Sequence, residues 1–251
     1  MRVRAIVEYL GTAYAGWQAQ LDRPTIQVAL QDAIRIATGV STRVDSAGRT
    51  DAGVHAIGQV AAFDLPDGID LYKLRGALNG ITPRDLIVVS LERTHDKFDP
   101  RRDARMRTYR YTIVTGRPPA PLLSDRSWHV YPQLDFGLLQ RLAAPIAGTH
   151  DFRAFRAADC ESDSTLRDVE TSRWSRAELR DVASGDVFDY EITANAFLKH
   201  MVRILVGSMV DVALGKLDEA VLLRLIESGG DRTEAGRTAP PQGLVLVRVD
   251  Y

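Results

Sequence analysis

The stretch 195–214 sets the tightest constraint on what this chain can fold into. Read as one helix with Asn195 as its N-cap, it carries Phe197, Leu198, Met201, Val202, Ile204, Leu205, Val206, Met209, Val210 and Val212 on nearly every side. A helix that is apolar all round has to be surrounded, so other elements must cover it from several directions. The chain can supply them, because 251 residues with 45% hydrophobic content suffice for one large domain or two small ones packed together. Arg203 falls in the middle of this helix. An arginine is almost never fully buried alone, so either a carboxylate from elsewhere meets it or its head reaches solvent. Asp211 lies eight residues further along, about 12 Å at a rise of roughly 1.5 Å per residue, which is too far to serve. Lys199, one turn earlier, shares the side of Arg203 and adds to its positive charge.

Around this helix the pattern alternates between strands and helices. Residues 2–10 alternate polar and apolar side chains as a half-buried strand, and a loop over 11–23 carries Tyr14, Trp17 and Gln18. Thr25 caps a helix whose apolar stripe ends at Gly39. Strands are expected at 42–45, 57–65 and 85–91, with a helix at 71–78 closed by the turn signal Asn79-Gly80. A strand at 106–114 follows, then a rigid connection at Pro118, Pro119 and Pro121. A helix over 135–148 should be shortened by Pro145. An irregular polar loop opens at Asp151, strands follow at 166–173 and 187–193, a helix at 218–227, and a last strand at 244–251. This order predicts two α+β units, 1–104 and 105–251, whose sheets can join.

Charge excludes an overall basic protein: Lys plus Arg number 32 against 33 Asp plus Glu. Any contact with nucleic acid must use a local patch. Residues 97–117 supply one, with seven basic side chains (Lys97, Arg101, Arg102, Arg105, Arg107, Arg110 and Arg117) against Asp99 and Asp103. Alternation over 106–114 puts Thr108, Arg110 and Thr112 on one face and Tyr109, Tyr111 and Ile113 on the other. Arginines and tyrosines on a sheet suit an RNA backbone and its bases. A solvated strand face with cross-strand ion pairs has the same appearance. No signal-peptide order opens the sequence and no apolar run approaches the roughly 18 to 20 residues a bilayer needs, so a soluble, cytoplasmic protein is expected. Cys160 is the only cysteine, which excludes an internal disulfide and a cysteine cluster for zinc, and it receives no catalytic role. The five histidines, His55, His95, His129, His150 and His200, have no ligand-like spacing, and no phosphate-cradling glycine motif occurs.

The stretch 46–55, Ser-Ala-Gly-Arg-Thr-Asp-Ala-Gly-Val-His, carries the clearest chemical signal. Gly48 and Gly53 bracket Arg49, Thr50, Asp51 and Ala52, letting the backbone turn tightly or approach a ligand just before a strand. That presents a carboxylate beside a guanidinium. The alternative is a surface turn in which Asp51 bonds its own backbone.

These residues resemble the tRNA pseudouridine synthase A family. The signature at 47–55 continues through Gly58, Gln59 and Val60 to Phe63. Other landmarks stand in the family's order: Tyr14-Ala-Gly-Trp-Gln18, Arg107-Thr-Tyr-Arg-Tyr111, Asp151-Phe-Arg-Ala-Phe155, Asn195-Ala-Phe with His200-Met-Val-Arg203, and Gly243-Leu244. The chain departs from the family at Leu10, where Asp is usual, at Ala19, where a basic residue is common, and at Pro100 and Arg102, where small and aromatic residues are usual. The resemblance implies two RRM-like or ferredoxin-like α/β sandwiches whose mixed, largely antiparallel sheets join, with helices on one side and an active-site cleft between the halves. It implies conversion of uridine to pseudouridine at nucleotides 38, 39 and 40 of the tRNA anticodon stem-loop by a cytoplasmic homodimer, without metal or cofactor.

By position, Asp51 would be the catalytic aspartate, and Arg49 would help hold the flipped nucleotide. Tyr109 would stack beneath the uracil and handle the proton at its C5. Arg203 would pair with Asp51, and Leu244 would wall the base pocket. Arg105, Arg107, Arg110 and Lys199 form the expected RNA-binding patch. The chemistry agrees with these residue types, because breaking a glycosidic bond develops positive charge at the sugar that an ionised carboxylate can meet as nucleophile, base or electrostatic partner. Two rival readings are a non-catalytic RNA-binding protein using the Arg/Tyr strand as an RRM-like face, and a cofactor-free enzyme acting on a small nucleoside or nucleotide.

Overall fold

The computed structural model describes residues 1–116, 119–177 and 185–251, so Arg117 of the basic segment and Pro118 of the expected connection lie outside the described residues. In chain order the elements are β1 (Arg2–Tyr9), α1 (Ile26–Thr38), β2 (Asp45–Ser46), β3 (His55–Asp64), α2 (Leu71–Ile81), β4 (Leu86–Arg93) and β5 (Met106–Thr115). They continue with β6 (Trp128–Val130), α3 (Phe136–Ala143), β7 (Gly148–Asp151), β8 (Leu166–Arg176), β9 (Asp186–Ala194), α4 (Met201–Ala213), α5 (Glu219–Ser228) and β10 (Leu244–Asp250). Helices and strands therefore mix in the α+β manner the sequence predicts. The chain divides into two compact units: Met1–Arg105 together with Val245–Tyr251, and Met106–Leu244.

In the first unit β1 is central, antiparallel to β3 on one side and to β4 on the other, and β10 adds to β3 in parallel through Val245 opposite His55. Alternation decides which side chains are covered: Val3, Ala5, Val7 and Tyr9 are buried along one face of β1. On the opposite face Val60 and Ala62 pack with Ala47, Phe98, Val249 and Tyr251, so the chain's last residues complete this small core. Helix α1 starts and stops where its sequence says. Thr25 Oγ1 accepts from Val28 N at 3.4 Å, and Gly39 closes the helix at φ 72°.

Two local expectations fail here. Asn79-Gly80 does not turn the chain; α2 runs through it to Ile81, because the Asn79 amide donates to Val88 O at 3.0 Å and accepts from Val88 N at 2.8 Å, which fastens the helix to β4. The strand expected at 42–45 is only Asp45–Ser46, paired with Ala62 and Ala61.

The second unit is built on antiparallel pairs in the order β5, β9, β8, β7, with β6 parallel to β5 beyond Ile113. Helix α4 packs against α3, α5 and β5. Between Met201 and Val212 every side chain of α4 except Arg203 is buried, as a helix apolar all round requires. Its beginning differs from expectation. The helix starts at Met201, after His200 in the left-handed region at φ 64°, and residues 195–200 are not helical. Asn195 serves as a strand tether in place of a cap: its N donates to Asp168 O at 3.1 Å and its Oδ1 accepts from Asp168 N at 3.2 Å. Lys199 O, likewise outside the helix, accepts from Ala157 N at 2.9 Å. The last of these bonds satisfies a carbonyl that a longer helix would have satisfied internally, and the two at Asn195 tie this segment to β8.

Helix α3 ends at Ala143 and becomes a 3-10 turn over Ala144–Ile146, in line with the effect of Pro145. The loop expected to be polar from Asp151 is a structured element. Strand β7 reaches Asp151, a 3-10 turn spans Arg153–Phe155, and Phe152, Ala154 and Phe155 are fully buried.

Candidate active site

The Asp51 stretch of the first unit leaves β2 and enters β3, and its backbone is held at successive points. Ala47 N donates to Val60 O at 2.9 Å, and Gly48 O accepts from the Gln59 side chain at 2.8 Å. Thr50 O accepts from Trp17 N at 3.0 Å, and Thr50 Oγ1 lies 2.8 Å from the Tyr9 hydroxyl. Val54 N closes the turn onto Asp51 O at 3.1 Å, with Gly53 at φ 78°. Two glycines let the 11–17 segment come this close. A Cβ on Gly16 would sit 2.6 Å from Thr50 O, and one on Gly11 would sit 2.0 Å from Val54 O.

This arrangement sorts the side chains of the motif. Arg49 is exposed and Asp51 half-buried, while Thr50 and His55 are turned inward. His55 Nδ1 accepts from Gly11 N at 2.9 Å, which places any proton of the neutral ring on Nε2. The Tyr9 phenol is pushed up to about 12 by burial, against hydrogen bonds to Thr50 and Gln59 that oppose the shift, so it stays protonated at neutral pH.

The remaining expected residues belong to the second unit, except Arg105. Tyr109 on β5 is half-buried, with Phe197 edge-on to its ring at 5.0 Å and 82°. Arg203 Nε donates to Ala239 O at 2.8 Å, and Ala239 N donates to Arg203 O at 3.0 Å, tying α4 to the segment that leads into β10. Leu244 is buried. Next to it, Gly243 lies close against Tyr111, where a Cβ would approach the ring to 2.6 Å. Tyr111 itself donates to Pro240 O at 2.7 Å, and burial drives its phenol far up although the charge of Arg203 opposes this.

The expected RNA patch separates into unlike members. Arg105 is exposed. Arg107 is only 8% exposed and donates through Nη1 to Asn195 O at 2.7 Å, so it performs a structural task on β5. Arg110 stands opposite Glu191 with a buried Nε that has no partner. Lys199 does not share a helix face with Arg203, because it precedes α4. Its Nζ lies 2.5 Å from Asp159, whose carboxyl it holds below the usual carboxylate range.

Sequence reasoning did not single out Tyr9, Gln59 or Tyr111 as parts of the site. Gln59 left a trace, as a long polar side chain inside the otherwise apolar run of β3. Among the described residues no three His, Cys, Asp or Glu side chains are grouped to hold a metal ion.

A family model described as tRNA pseudouridine synthase matches residues 5–101 and 142–251. The chain is 41% identical over 250 residues to a tRNA pseudouridine synthase A of Myxococcus xanthus, covering all of this chain and 92% of that one. It is 39% identical over 249 residues to the protein of that name from Geotalea daltonii, and 40% identical over 249 to the one from a Thermoanaerobacter species. Each of these alignments covers 99% of both chains.

Proposed function

The chain belongs to the tRNA pseudouridine synthase family, isomerases acting on uridine in tRNA, and on that premise we propose that Asp51 carries the reaction and that the substrate uridines lie in the anticodon stem-loop, at nucleotides 38 to 40. In that isomerisation the bond from C1′ to N1 breaks, the uracil re-attaches through C5, N1 ends protonated and the C5 proton leaves. The Asp51 carboxylate meets the charge that develops at the sugar. The observation that supports this assignment is the way the loop is held. Gly48 and Thr50 are fixed on either side of Arg49, and the half-buried Asp51 follows directly. A carboxylate on a positioned turn loses little freedom when substrate arrives.

Arg49, exposed beside it, holds the flipped nucleotide, whose extraction costs a few kcal/mol. Tyr109, Arg203 and Leu244 serve the same reaction, as the aromatic platform, a source of positive charge and the apolar wall for the base. Arg105 contributes to backbone recognition, and the enzyme works as a homodimer in the cytoplasm. Tritium release from tRNA labelled as 5-³H-uridine tests the central assignment. Wild type should release tritium and Asp51→Asn should not, while binding tRNA as before. Release by Asp51→Asn at the wild-type rate removes Asp51 from the mechanism.

A further inference from the structure

Beneath the Asp51 turn lies a buried polar chain that packing alone does not account for. Gln59 on β3 is fully buried, and its Nε2 donates to Gly48 O at 2.8 Å and lies 3.4 Å from the Tyr9 hydroxyl. Tyr9 on β1, only 2% exposed, reaches Thr50 Oγ1 at 2.8 Å. The orientation of the Gln59 amide is settled by chemistry: Gly48's carbonyl can only accept, so the NH2 end must face it. That leaves Oε1 buried without a partner. A side chain kept only to fill space would do so without an orphaned acceptor, as a methionine of similar length could. The chain's two ends are Gly48 and Thr50, the residues on either side of Arg49, and Thr50 directly precedes Asp51.

We propose that Gln59 and Tyr9 are positioning residues for Asp51, acting through Gly48 and Thr50 to hold the carboxylate in the register the reaction requires. The inference rests on Asp51 being the reacting carboxylate. Neither side chain needs to touch RNA, so its loss acts on turnover more than on tRNA capture.

The test is steady-state tritium release with Tyr9→Phe, Gln59→Met and the double variant, alongside Asp51→Asn. Each single variant should lose about tenfold or more in kcat, as expected when a reacting group is misplaced by a fraction of an ångström, with KM for tRNA within about twofold. The double variant should be little worse than the weaker single one, because both cut one chain. Unchanged kcat in both single variants overturns the proposal. So do losses that add fully and follow the drop in melting temperature. If Gln59→Met fails to fold, Tyr9→Phe decides, since it deletes one oxygen. An active Asp51→Asn defeats the underlying reading, whereas an inactive one beside unimpaired Tyr9→Phe and Gln59→Met defeats only this inference.

Discussion

Replacing Asp211 by alanine should weaken the second unit by about 3 kcal/mol, and each contribution can be traced. Asp211 lies inside α4 with its side chain 9% exposed, and it binds one residue in two ways. Its Oδ2 accepts from the Arg237 backbone N at 2.9 Å, and its Oδ1 accepts from Arg237 Nε at 2.8 Å. A hydrogen bond from a backbone N–H to a buried carboxylate contributes about 2 kcal/mol. The guanidinium part is worth less, about 1 kcal/mol, because the Arg237 side chain is 44% exposed and water can replace the lost partner. The same segment is held by Gly236 N on Ser208 Oγ at 2.9 Å and by Ala239 on Arg203, so the position from which Arg203 is held loosens with it. For a chain of this length the melting temperature should fall by about 6 to 12 °C in calorimetry. Asp211→Asn retains an oxygen for the backbone N–H and should lose only about 1 kcal/mol. A change below about 0.5 kcal/mol for Asp211→Ala, or equal losses for the two variants, would refute this account.

Two further outcomes follow from the first unit. The Tyr9 phenol is raised from 10.0 to about 12, so the folded state keeps a proton the unfolded state loses. The stability this provides is complete below pH 10 and disappears as pH rises toward 12. Tyr9→Phe should therefore reduce the slope of unfolding free energy against pH in that window by one proton, about 1.4 kcal/mol per pH unit, and denaturant titrations giving parallel slopes would contradict it. Gly39→Ala, at φ 72° in open space, should cost about 1 kcal/mol and leave tritium release unchanged, whereas Gly16→Ala, at φ 94° and 2.6 Å from Thr50 O, should cost more and slow release. Equal behaviour of the two variants would show that the approach of Gly16 to the loop is unimportant.

Local chemistry made several elements readable from the sequence. Thr25 and Gly39 bound α1 because a cap oxygen and a left-handed glycine act within a few residues. Alternation located β1 and β5 to within a few residues, because a pleated strand repeats every two residues whatever lies beyond it. The motif around Asp51 was legible for a similar reason: two glycines and the residues between them specify a turn, although not what that turn rests on.

Tertiary structure decided the rest, where a group's partner lies far along the chain. Asn79-Gly80 stays helical because Val88 takes its amide, and Asn195 begins no helix because Asp168 binds both its backbone and its side chain. Arg107 and Lys199 looked alike as basic residues, yet one is buried against Asn195 O and the other is paired with Asp159. The polar run after Asp151 hides Phe152 and Phe155 in the core. By itself the sequence determined which residues could form a turn bearing a carboxylate. Only the packed chain brought Tyr9 and Gln59 beneath that turn, because buried polar atoms take their partners from whatever the fold places within about 3 Å.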